Sequence, residues 1–190
     1  MAEAPRCEFI LGGQKSGKSR LAEERARDWL AAGAGRRAVL IATGLACDDE
    51  MRARIARHRQ ERAARVPGLL TREEPRALAE AVRRESDPDT LVVVDCLTLW
   101  LTQALMPPPG WTSLPDPDSA GEDVCAALAA ASGPVVVVSN EIGLGVIPLG
   151  APVRRFVDAL GRLNQRVASV AERVTLMVAG CPLVVRGGVS

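Results

Sequence analysis

At 190 residues, with 47% apolar side chains and a formal net charge of +1, the chain can bury a core as a single domain over 1–190 and lacks the charge excess of a nucleic-acid binder. Its five cysteines, Cys7, Cys47, Cys96, Cys125 and Cys181, are odd in number and contain no C-x-x-C pair, which argues against a disulfide framework or zinc site and suits a reducing cytoplasm. Residues 1–6 show no basic start leading into an apolar stretch, and no apolar run approaches the roughly 18 residues of a membrane span.

The first apolar run, Phe9–Leu11, opens into Gly12-Gly13-Gln14-Lys15-Ser16-Gly17-Lys18-Ser19, the G-x-x-x-x-G-K-S pattern of a phosphate-binding loop. Its glycines let backbone N–H groups face a triphosphate, and a helix predicted over 18–32 adds the positive end of its dipole. Lys18 then reaches the β- and γ-phosphates, and Ser19 offers a hydroxyl to Mg²⁺. A strand follows at Ala38–Ala42.

The helix predicted over 48–65 begins with Asp48, Asp49 and Glu50, as a helix dipole favours, and then becomes basic. It holds the chain's single histidine. Met51, Ile55 and His58 fall on one face, flanked by Arg54, Arg57, Arg59 and Arg62. A lone histidine there is ordinarily a packed or solvated residue. The phosphate loop changes the balance, because clustered arginines are what a triphosphate requires of a second element closing over it.

A helix over 75–86 precedes Leu91-Val92-Val93-Val94-Asp95, an apolar strand ending in a carboxylate at the same sheet edge as the phosphate loop. Asp95 is suited to Mg²⁺, directly or through water, and equally to capping the helix predicted over 95–105. The segment 106–118, with five prolines, predicts a surface loop. Beyond a helix over 120–132, the strand Pro134–Val138 runs into Ser139-Asn140-Glu141-Ile142-Gly143-Leu144-Gly145. Asn140 and Glu141 either contact substrate or shape a turn in which Gly143 and Gly145 supply positive φ. A helix over 151–172 and a fifth strand, Val174–Ala179, complete the pattern. Continuous apolarity in strands alternating with helices predicts an α/β, P-loop NTPase fold: a mostly parallel sheet flanked by helices.

Gly12–Arg20, Ile41-Ala42-Thr43, Asp48-Asp49-Glu50-Met51 with Arg54-Ile55 and His58-Arg59, Asn140-Glu141-x-Gly143-x-Gly145, and Gly161-Arg162-Leu163-Asn164-Gln165 together resemble the bifunctional adenosylcobinamide kinase and adenosylcobinamide-phosphate guanylyltransferase family of cobalamin biosynthesis. The resemblance implies a RecA-like fold, a homotrimer, and two substrates, adenosylcobinamide and its phosphate. It implies phosphorylation of the aminopropanol hydroxyl with ATP or GTP, then transfer of GMP from GTP through a guanylylated histidine. That role falls on His58, with Lys18 as the second catalytic residue. By the same resemblance Ala42, Thr43, Gly44, Arg59, Gln60, Glu61, Arg62, Glu73 and Asp95 line the nucleotide site. Charge and spacing single out only Arg59, Arg62 and Asp95 of these.

The chain departs from the family pattern after its histidine: Arg62 precedes Ala63 rather than proline, no tryptophan follows, and Thr71-Arg72-Glu73-Glu74-Pro75 arrives about three residues late. A reshaped loop against guanine is expected. Two other functions share the phosphate loop: a kinase in which His58 is structural, and a nucleotide-dependent switch or assembly protein.

Overall fold

Runs of β-branched residues too apolar for one-sided exposure become interior strands, and the segments between them coil into helices that cover both faces. The computed structural model describes residues 5–46, 49–114 and 116–187; Asp48, Cys47, Pro115 and the side chain of Arg54 lie outside the description. In chain order the elements are β1 (Cys7–Gly12), α1 (Lys18–Ala31), β2 (Arg37–Ala42), α2 (Asp49–Arg65), β3 (Leu69–Glu73), α3 (Leu78–Glu85), β4 (Thr90–Asp95), α4 (Leu97–Leu105), α5 (Pro117–Ala129), β5 (Val135–Val138), α6 (Ala151–Val170), β6 (Arg173–Val178) and β7 (Cys181–Arg186). The strands form one sheet in the order β3-β2-β4-β5-β1-β6-β7. All neighbours pair parallel except β6 and β7.

Right-handed crossovers decide which face each helix covers. The chain moves toward one edge through α1 and α2, and toward the other through α3 to α6. One core therefore joins Ile10, Leu40, Val93, Val136 and Val138 to Leu21, Ala22 and Ala26 of α1 and to Val66 just past α2. The opposite core joins Phe9, Ile41, Val92, Val94 and Val137 to Leu78 and Val82, Leu97 and Trp100, Val124 and Leu128, and Leu160 and Leu163. Cys7, Cys96 and Cys125 are buried and free, and Cys181 is exposed and free. Burial raises the Cys7 thiol to about 12 and the Cys96 thiol to about 11, so both behave as small apolar groups.

All five expected strands form. β3 and β7 are additional, and both are edge strands with mostly exposed residues; β3 is largely polar, while β7 carries the short apolar run Leu183–Val185 exposed at the sheet edge. Two helix starts also differ. Asp116 caps α5 by accepting from the N–H groups of Asp118 and Ser119, at 3.0 and 3.1 Å, with Pro117 at the first helical position. The end of the expected 106–118 loop is thus helix. The start of α3 shifts to Leu78 because Glu74 accepts from the N–H groups of Arg76 and Ala77 and holds them in a turn.

Candidate active site

The loop between β1 and α1 turns on two left-handed glycines, Gly12 (φ 154°) and Gly17 (φ 99°). A Cβ on Gly12 would lie 2.6 Å from both the Met177 carbonyl oxygen and Ser16 Oγ, so glycine is required for space as well as conformation. Gly13, Gln14 and Lys15 are exposed at the mouth, while Ser16 and Lys18 are buried and Ser19 is half-buried. Lys18 Nζ donates to the Gly13 carbonyl at 2.6 Å, holding the ammonium over the loop. Burial pushes its pKa below the ordinary lysine value, against the opposing pull of Cys96 and Asp95. The Asp95 carboxylate, two strands from β1, therefore acts electrostatically on the phosphate-loop lysine.

Asp95 is the last residue of β4 and the cap of α4 is Cys96, which makes no side-chain capping bond. Its capping alternative is thus not what the fold uses. Thr43 fixes the strand end beside it: its N–H donates to the Asp95 carbonyl at 3.1 Å, and its hydroxyl both donates to the Cys96 carbonyl at 2.7 Å and accepts from the Cys96 N–H at 2.9 Å. Thr43 is fully buried, and its hydroxyl joins β2 to the end of β4. Ala42 is half-buried, and its carbonyl accepts from Glu74 N–H.

Ser19 and Asp95 offer hard oxygen donors only, the chemistry that Mg²⁺ prefers. Among the described residues there is no cluster of three or more His, Cys, Asp or Glu that could hold a metal. A hydroxyl and a carboxylate are the protein donors that Mg²⁺ takes beside substrate phosphates.

Beyond β2 and β3 a cleft of about 630 Å³ lies under α2, lined by Gly44, Arg52, Ile55, Arg59, Glu73 and Pro75 among others. Arg59 and Glu73 form an ion pair there. Three expected site residues, Gly44, Arg59 and Glu73, are brought together in this cleft, which Ile55 and Pro75 of the family-like segments also line, together with Arg52, which was not a candidate site residue. Glu61 and Gln60 are exposed, and Glu61 lies 4.0 Å from Arg57 and 3.8 Å from Arg65. The cleft and the phosphate loop are separated at the sheet edge: β2 stands three strand positions from β1, about 14 Å at the usual spacing.

Arg62 does not line this cleft. It is 8% exposed, its Nε lies 3.7 Å from Glu23 Oε1, and its NH1 donates to Thr71 Oγ1 at 3.0 Å. Arg65 Nε donates to the other oxygen of the same Glu23 at 2.8 Å. Glu23, on α1 and itself 3% exposed, was not singled out by its sequence context. Its spacing of one turn from Ser19 is the only signal it carried. Removing it leaves Arg62 buried without its carboxylate, so Glu23→Ala is expected to cost about 3 kcal/mol of stability by urea unfolding; an unchanged midpoint would show that the pair holds nothing.

Glu23 thus ties the end of α2 to α1 through Arg62 and Arg65. The half-buried His58 stands one turn before Arg62 on α2, and Ser19 one turn before Glu23 on α1.

On the other side, Glu141 N–H donates to the Gly12 carbonyl at 3.1 Å, Asn140 N–H to Thr98 Oγ1 at 2.9 Å, and Asn164 Nδ2 to the Asn140 carbonyl at 3.0 Å. Neither Gly143 nor Gly145 adopts positive φ, contrary to the turn expected from them; Glu141 Oε1 shapes the bend by accepting from Gly143 N–H at 3.1 Å.

A parallel sheet with a phosphate loop after β1 and an acid ending β4 defines a RecA-like P-loop protein. Solved structures agree on the fold: flagellar accessory protein FlaH from Methanocaldococcus jannaschii (TM-score 0.52, 12% identity, 96% of this chain and 80% of that one) and a second protein's ATPase domain (TM-score 0.52, 10% identity, 90% and 69%). Residues 8–185 match the family model described as cobinamide kinase / cobinamide phosphate guanyltransferase, and the chain belongs to that family. It is 45% identical over 183 residues to the bifunctional adenosylcobalamin biosynthesis protein CobP of Pseudomonas aeruginosa, covering 95% of this chain and 97% of that protein. It is 33% identical over 181 residues to the bifunctional adenosylcobalamin biosynthesis protein CobU of Escherichia coli, covering 90% and 95%. The chain is accordingly an enzyme of two activities, a kinase and a guanylyltransferase.

Proposed function

We propose that this enzyme phosphorylates the aminopropanol hydroxyl of adenosylcobinamide with ATP or GTP, and then transfers GMP from GTP through His58 to give adenosylcobinamide-GDP. What supports this reading is that the chain's single histidine lies on α2, the helix that Glu23 ties through Arg62 and Arg65 to α1, which begins at the phosphate loop.

In the first reaction Lys18 and the loop N–H groups hold the β- and γ-phosphates while the substrate oxygen attacks the γ-phosphorus. The P–O bond to the β-phosphate breaks, and the hydroxyl proton is released as the new phosphate ester forms. Mg²⁺, held by Ser19 and Asp95, would supply positive charge against the phosphate oxygens. In the second reaction an imidazole nitrogen of His58 attacks the α-phosphorus of GTP. A P–N bond forms, the bond to the bridging oxygen breaks, pyrophosphate leaves, and the ring gives up its N–H proton. The phosphate of the cobinamide then attacks the same phosphorus and frees the histidine. Gly44, Arg59, Glu73 and the rest of the cleft under α2 are the surfaces offered to the nucleoside end. A homotrimer is the assembly the family resemblance implies.

Two measurements test this. GTP labelled at the α-phosphate, incubated with the protein and Mg²⁺, should leave acid-labile, alkali-stable label on the protein, while γ-label should leave none; no label from either removes the covalent step. Asp95→Asn should raise the Mg²⁺ concentration needed for half-maximal kinase rate about tenfold, a loss of about 1.4 kcal/mol. An unchanged metal titration would take Asp95 out of the metal site.

A further inference from the structure

The segment between β5 and α6 combines a rigid root with an uncharged tip. Its root is the three backbone hydrogen bonds to Gly12, Thr98 and Asn164 described above. At its far end the Arg154 guanidinium donates to the carbonyls of Pro148, at 3.0 Å, and Leu149. Between them, residues 143–150 read Gly-Leu-Gly-Val-Ile-Pro-Leu-Gly with no charged or hydrogen-bonding side chain. Leu144, Val146, Ile147 and Leu149 are 81%, 96%, 76% and 97% exposed. Four adjacent aliphatic side chains in water, on a backbone tied at both ends, mark a surface that takes an apolar occupant.

We propose that this loop is the seat of the corrin ring of the cobinamide substrate. The assignment rests on the function proposed above and adds the residues that hold its acceptor. The occupant follows from place and chemistry. The acceptor oxygen must come within about 3–3.5 Å of the γ-phosphorus, so the bulk attached to it lies just outside the phosphate loop. On the α2 side, beyond β2, lies the cleft with Arg52 and Arg59, which suit phosphate and nucleotide. On the β5 side that space is bordered by this loop, whose Glu141 N–H is bonded to Gly12 of the phosphate loop itself. A broad macrocycle edged with methyl groups matches aliphatic side chains, whereas the charged phosphates of a nucleotide do not. The other exposed aliphatic group, Val178 with Leu183, Val184 and Val185, lies on the β6–β7 hairpin, whose Gly180 N–H donates to the Ser16 carbonyl at 3.0 Å; it stands on the side of β1 away from β5 and Asp95.

The test compares the wild-type enzyme with Val146→Ser/Ile147→Ser, a change at exposed positions. Three readouts are taken: KM for adenosylcobinamide, α-label transferred from GTP to the protein without cobinamide, and sedimentation velocity. The expected result is a KM for adenosylcobinamide raised roughly tenfold or more, with protein labelling and sedimentation unchanged. An unchanged KM overturns the assignment. A variant that changes assembly state at unchanged KM also overturns it, and gives the loop to contact between copies of the chain. Wild-type protein that turns over no cobinamide overturns the parent function, and the assignment with it, which separates the two failures.

Discussion

Lys18→Ala is expected to abolish both activities, each by at least about 10³-fold, or about 4 kcal/mol of barrier. Lys18 is buried, its Nζ is held 2.6 Å from the Gly13 carbonyl, and Asp95 acts on it from the end of β4. A triphosphate entering the loop finds this cation already in place and partly stripped of water, where charge acts most strongly. Alanine removes it without disturbing Gly12 or Gly17, so the backbone cradle survives. Kinase turnover and α-label incorporation, measured on the same preparation with its thermal melt as a control, check this. Either activity persisting at the wild-type rate would refute a phosphate loop shared by the two reactions.

His58→Ala is expected to remove guanylyl transfer, lowering protein labelling to background, while the kinase step stays within about threefold of wild type because no phosphate contact is lost. The separation follows from position. His58 is half-buried on α2, and the Glu23 clamp to Arg62 and Arg65 lies one turn further on, so truncating the imidazole leaves the helix docked. Labelling by α-GTP and phosphorylation of adenosylcobinamide by ATP are the two assays. Equal loss of both would make His58 a structural residue and leave a kinase alone.

Much of the site was legible before any coordinates, because its chemistry is local. A phosphate loop needs consecutive backbone amides, two permissive glycines and a lysine within one turn, and all are contiguous from Gly12 to Ser19. Asp95 was legible because it ends the run Leu91–Val94. Arg62 was not. It stands one turn from His58 in a basic helix and looks like a phosphate ligand, yet it turns toward a buried carboxylate 39 positions earlier in the chain. Glu23 was equally silent, since an acid among the charged residues of α1 looks like a solvated one until a second helix covers it. Thr43 was named by the family resemblance alone, and what only the fold shows is that its hydroxyl bonds Cys96.

Taken alone, the order of residues determined which segments become interior strands, where the phosphate loop lies and which family the chain resembles, because each depends on neighbours within about ten positions. Strand order, the edge strands β3 and β7, the clamp of Glu23 on Arg62 and Arg65, and the apolar loop rooted on Gly12 were decided only by tertiary structure. These depend on right-handed crossovers and on which faces meet, and burial of a charge or exposure of an aliphatic side chain exists only once distant segments have packed.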